Sequence, residues 1–119
     1  MAQVAQIGAE VGSRVVFEND KVRVWNFELK PGEETVMHRH DLSYIWYAIQ
    51  GGPLDIHDEH GNPLGVFQVP TGAVFNIRHN GNELEILSDI HQGMKFPLTH
   101  KARNIGSVTY REVLIEFKE

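Results

Sequence analysis

The chain contains no cysteine. That excludes disulfides and thiolate catalysis, and it leaves any metal to nitrogen and oxygen ligands. No cluster of Lys or Arg stands out, because 11 basic residues face 16 acidic ones for a formal charge of -5. Binding a phosphate backbone needs clustered positive charge, so nucleic acid is not an expected partner. No run approaches the ~20 apolar residues of a membrane helix, so no membrane partner is expected either. Residues 1–13 lack a basic start and a continuous apolar block, and so do not read as a secretory leader. The expected location is the cytoplasm. Convincing helical periodicity, internal repeats and low-complexity tracts are also missing.

What is present is a succession of short strand patterns. The length of 119 residues and a hydrophobic content of 41% suit one domain with one core. Residues 1–13 read as an N-terminal arm, or as an edge strand that pairs with a second subunit, and 14–119 as the domain. Residues 22–29 alternate Trp25, Phe27 and Leu29 against Asn26 and Glu28, the period of a half-buried strand. Residues 36–49 predict two strand segments bent near 41–43. Further strands are expected at 15–18, 54–58, 65–69, 99–105 and 108–117, with turns at Pro31-Gly32, Gly61-Asn62-Pro63 and Pro70-Thr71-Gly72. Asn80-Gly81 between 73–78 and 83–87 marks a hairpin. Residues 88–98 carry no clear pattern. Short strands at close intervals predict an all-β sandwich or barrel.

His38-Arg39-His40 is the stretch with chemistry in it. Side chains two apart on a strand share a face, so both imidazoles can reach one ion while Arg39 points outward. The flanking spacing resembles the first motif of the cupin superfamily: Gly, five residues, His-x-His, three or four residues, Glu, six residues, Gly. Gly32, His38, His40 and Gly51 fall on it, with Tyr44 in the Glu slot. The second motif, Gly, five residues, Pro-x-Gly, two residues, His, three residues, Asn, can be placed twice. Pro70-Thr71-Gly72 supplies the turn but puts Phe75 in the His slot. His100 and Asn104 supply His and Asn but put Pro97 in the Gly slot. The chain remaining after Asn104 fits one terminal strand, which favours His100 and makes 73–87 an added or elongated hairpin.

The resemblance implies a cupin-type double-stranded β-helix, or jelly-roll barrel, with a divalent transition metal (Fe, Mn, Zn, Ni or Cu) held by His38, His40 and His100. Three neutral imidazoles without a carboxylate leave the ion's full charge for a water or substrate oxygen. Tyr44 is then a ligand or general acid/base, or it is a core aromatic that bonds a water; the frequency of core aromatics favours the second. His57, His60 and His79 read as turn residues. His91 is a reserve ligand should His100 face away. Arg103 or Arg111 would be within reach of an anionic substrate. Three functions compete: a metal-dependent dioxygenase, isomerase or lyase on a small polar molecule, a non-catalytic ligand-binding barrel, and a structural homodimer.

Overall fold

A computed structural model describes residues 11–118; residues 1–10 of the expected arm lie outside them. Eleven strands form two antiparallel sheets: β1 (Arg14–Glu18), β2 (Val22–Leu29), β3 (His38–Arg39), β4 (Tyr44–Gln50), β5 (Gly52–Asp58), β6 (Pro63–Val69), β7 (Val74–His79), β8 (Glu83–Ile86), β9 (Lys95–Pro97), β10 (Thr99–Asn104) and β11 (Tyr110–Phe117). The large sheet runs β1-β2-β11-β4-β7-β8-β9 and the small one β3-β10-β5-β6. Among the described residues there is no helix, and so none long and apolar enough to cross a membrane.

Alternation decides what lies between the sheets. Trp25, Phe27 and Leu29 of β2 point inward, as the sequence predicts. They meet Tyr44, Trp46 and Ala48 of β4 and Tyr110 and Leu114 of β11, with Leu54 and Ala102 from the small sheet. The 73–87 hairpin is not an appendage. Strand β7 pairs with β4, and β8 with β7. Phe75, Ile77, Leu84 and Ile86 are almost completely buried, because their alternation is in phase with the inner face of the sheet. The expected turn forms at Asn80, whose Oδ1 accepts from the amides of Asn82 and Glu83 at 3.0 and 2.9 Å. The end of the expected arm is tied down. Val11 is 1% exposed, and the Ser13 amide donates to the Asn26 carbonyl at 2.8 Å. By contrast β1 is a two-sided exposed edge, with Val16 and Phe17 each about half exposed (49% and 54%).

Two elements that look unrelated in sequence meet in space. Gly51, which ends the first spacing pattern, sits under the Pro70-Thr71-Gly72 turn. Its amide donates to Thr71 Oγ1 at 3.0 Å, and the Gly72 amide donates to the Ala48 carbonyl at 2.7 Å. A Cβ on Gly51 would stand 2.0 Å from the Val69 carbonyl oxygen and 2.7 Å from the Thr71 nitrogen, both backbone atoms with no room to give. Next to it, a Cβ on Gly52 would meet nothing within 4 Å. Asn104, which pairs with Leu54 three residues beyond Gly51, is 1% exposed. Its side-chain amide donates to the carbonyls of Leu29 (2.9 Å) and Val108 (2.8 Å), and its oxygen accepts from the Gly106 amide (2.8 Å). Asn104 therefore closes the β10–β11 turn onto β2. Gly51→Ala should cost more than about 2 kcal/mol in urea denaturation, whereas Gly52→Ala should stay within about 1 kcal/mol of the parent. Equal effects would mean that the turn does not rest on Gly51.

Candidate metal centre

The register of β3 against β10 creates the centre. His100 lies directly opposite His38 in the antiparallel pair, so both side chains leave the same face. His40 follows two residues on, and its amide donates to the Leu98 carbonyl at 2.9 Å, continuing the pairing past the end of β3. The three ring centroids stand 5.0, 4.8 and 4.9 Å apart, nearly an equilateral triangle. One nitrogen from each ring lies within 4.8 Å of the others, and all three residues are buried.

Backbone carbonyls set two of the tautomers. His38 Nδ1–H donates to the Val36 carbonyl at 3.0 Å and His100 Nδ1–H to the Pro97 carbonyl at 2.9 Å. Each ring therefore keeps its Nε2 lone pair free, the arrangement usual for metal-binding histidines. His40 Nδ1 is buried without a hydrogen-bond partner, an orphan that an ion bound to that nitrogen would satisfy. Burial holds all three rings neutral. It lowers His38, lowers His40 strongly with help from His100 and His38, and brings His100 down to about 4. Neutral, converging and partly unsatisfied nitrogens fit a divalent transition ion, and among the described residues no Asp or Glu joins the group.

The other expected residues separate clearly. Tyr44 is 2% exposed and stacks on His40, with centroids 4.4 Å apart and planes at 15°. Burial, then Glu112 and Glu116, push its phenol well above the usual value, so it is a proton donor rather than a phenolate. Phe75 occupies the alternative histidine slot as a fully buried ring stacked on Trp46 at 4.5 Å. His91 lies away from the triangle at a φ of 59°, its Nε2 3.2 Å from the Gln68 carbonyl. His57 pairs with Asp55 at 3.1 Å, and His60 is exposed beside Glu59. Arg111 pairs with Glu28 and Arg103 bonds the Gly32 carbonyl, both at the surface.

Solved structures share this arrangement of strands. A cupin domain from Bordetella pertussis Tohama I superposes with a TM-score of 0.67 at 22% identity, over 98% of this chain and 100% of that one. The chain has the cupin fold. A conserved protein with a double-stranded β-helix domain from Klebsiella pneumoniae gives a TM-score of 0.57 at 20% identity, over 87% of this chain and 73% of that one. The polyketide cyclase RemF from Streptomyces resistomycificus gives 0.54 at 17% identity, over 89% and 63%. No protein-family model matches the sequence, and no curated protein matches it significantly.

In this cupin barrel the histidines form one wall of a cavity of about 310 Å³ that also takes in Tyr44, Trp46 and Glu112. Glu112 is the site residue that sequence reading missed. It is 5% exposed, and the Tyr110 hydroxyl donates to its Oε1 at 2.6 Å. Burial raises its pKa to about 8, so at neutral pH it is mostly a neutral acid. The signal was parity: Glu112 and Glu116 are in phase with Tyr110 and Leu114, while Val113, Ile115 and Phe117 take the outer face.

These groups make the metal-free protein's stability depend on pH in opposite senses. The unfolded chain's histidines take up protons below 6.5, while His100 resists until about 4, so stability falls as pH drops through that window. Glu112 has a folded pKa of about 8 against an ordinary 4.5. Its contribution is full below 4.5 and is lost as pH rises through 8. Glu112→Gln, which cannot ionise, should therefore gain stability relative to the parent as pH rises from about 5 to about 9. Urea denaturation across that range reads the difference; a difference independent of pH would show Glu112 titrating normally.

Proposed function

We propose that the protein is a metal-dependent enzyme of the dioxygenase, isomerase or lyase type, acting on a small molecule held beside a His38–His40–His100 centre. One observation carries the reading: three neutral imidazoles, two with tautomers set by backbone carbonyls, converge on the wall of one cavity. A divalent Fe, Mn, Zn, Ni or Cu ion bound there would supply Lewis-acid polarisation of an oxygen or, with a redox metal, O2 chemistry. The same fold serves an enzyme in RemF, a polyketide cyclase.

The chain's own groups have separable tasks. His38 and His100 offer Nε2 lone pairs because the Val36 and Pro97 carbonyls hold their other nitrogens. Tyr44 covers a face of His40 and keeps bulk water from it. Glu112 holds a proton at neutral pH beside the same cavity, where it can be handed to a ligand atom, with Tyr110 steadying the carboxylate that results. Tyr44, also protonated, is a second proton donor in reach of the cavity.

Untagged protein purified without chelator should carry close to one transition ion per chain by elemental analysis. His38→Ala and His100→Ala should each lose it, and His57→Ala should keep it. Zinc at a hundredfold excess over its dissociation constant should stabilise the parent by about 2.7 kcal/mol and leave the two site variants unchanged. Folded protein that neither carries an ion nor responds to zinc would remove the enzyme reading and leave a ligand-binding barrel.

A further inference from the structure

The two sheets turn different outer faces to the surroundings. On the small sheet alternation puts polar side chains outside: Asp55 and His57 of β5 stand opposite Arg103 and Lys101 of β10. An antiparallel sheet with one face in water takes that pattern. The large sheet does not. Its outer face is apolar across five strands, because the registers bring like side chains side by side. Ile115 of β11 lies between Val24 of β2 and Ile45 of β4, and Phe17 of β1 stands opposite Val24. In the next row Val113 stands opposite Tyr47, and Tyr47 opposite Val74 of β7. Val24, Ile45, Val113 and Ile115 are half-buried within the sheet itself. Tyr47, Val74 and Phe117 are 47%, 51% and 37% exposed. Among the described residues no third layer of strands lies over this face.

Size and charge say what fits it. Five strands ~4.8 Å apart, of about six residues at ~3.3 Å each, cover on the order of 500 Å² in projection. That is already the size of the largest apolar patches on typical monomers, ~300–600 Å². Two such faces together reach roughly 1,000 Å², where specific protein interfaces begin. The charges stand at the margins. Arg111 pairs with Glu28 at 3.0 Å beyond one end of the apolar rows, Arg78 pairs with Glu85 beyond the other, and Arg14 stands at the β1 corner. An apolar centre within a rim of opposite charges is the anatomy of a protein interface. It carries no cation cluster for an anionic membrane or a strongly acidic partner. A second copy brings the same centre and the same balanced rim, so closing the two faces together buries apolar surface and leaves the ion pairs at the edge.

We propose that two copies of the chain pack face to face through the outer surface of the large sheet, around Ile45, Tyr47, Val113 and Ile115. The contact is isologous, each copy offering the same rows to the other. It moves the homodimer contact expected from sequence off the N-terminal arm and onto the middle of the sheet. It goes beyond the metal reading and does not depend on it. Strands β4 and β11, which carry Tyr44, Trp46 and Glu112 on their inner faces, would then be backed by a partner rather than by water.

Sedimentation velocity and hydroxyl-radical footprinting test this on the whole chain. The parent should sediment as a dimer at about 50 µM, within the reach of an interface of this size. Tyr47→Glu puts two buried charges into the contact, and should weaken association at least thirtyfold, on the order of one hot-spot residue. Val66→Glu, on the exposed edge strand β6 of the other sheet, should leave it unchanged. Should Tyr47→Glu fold poorly, footprinting of the parent decides. Oxidation of Tyr47 and Phe117 should fall as concentration rises through the association range, while that of Met94, exposed at the cavity rim, stays constant. A parent that is monomeric at 50 µM would overturn the proposal. So would a dimer in which Tyr47 stays as reactive as in the monomer, or one that Tyr47→Glu leaves intact. Loss of zinc binding by a parent that still dimerises through Tyr47 would remove the metal reading and leave this one standing.

Discussion

The structure turns on keeping three imidazoles uncharged inside a closed β shell. A protonated ring there would face two neighbours at 4.8 to 5.0 Å between centroids, with little of its surface in water, so burial and proximity act in the same direction. Neutrality alone does not make a ligand set. The lone pairs must also point together, and the backbone arranges that: Val36 and Pro97 each take a ring N–H, and the β3–β10 register places His38 opposite His100. The shell around them, from Tyr44 on His40 to the Trp46–Phe75 stack, keeps the dielectric low enough for these preferences to hold.

Much of this was legible before the fold was known. Strand β2 falls on residues 22–29, as its alternation says, and the 36–49 run does split into two strands around 40–43. The His-x-His spacing places His38 and His40 on one face, as strand geometry requires of residues two apart. The Asn80-Gly81 hairpin is also where the pattern puts it, although its role differs. It is built into the large sheet through β4, and it brings Phe75 into the core at the slot where the second motif would have a histidine.

What stayed hidden has physical reasons. In β11 both faces are apolar enough that counting hydrophobic residues selects Val113, Ile115 and Phe117, which lie outside; only pairing with β2 and β4 reveals that Glu112 and Glu116 lie inside. Residues 88–98 hold one three-residue strand among turns, and His91 adopts a left-handed φ that residue type does not announce. Departure from the cupin pattern at Tyr44 acquires a meaning once the barrel closes. Among the described residues no carboxylate joins the three histidines, yet one from a distant strand still reaches the cavity, protonated and held by Tyr110. The buried acid and the three-histidine cluster thereby lie on different elements, β11 and the β3–β10 pair.

Long-range ¹H–¹⁵N correlation spectra of the histidine rings test the central claim most directly. At neutral pH in the metal-free protein, His38 and His100 should be neutral with the proton on Nδ1 and an unprotonated Nε2. Adding zinc should then shift the ring nitrogens of His38, His40 and His100 and leave His57 and His60 in place. A ring of His38 or His100 that is protonated on Nε2, or zinc shifts confined to the surface histidines, would contradict it.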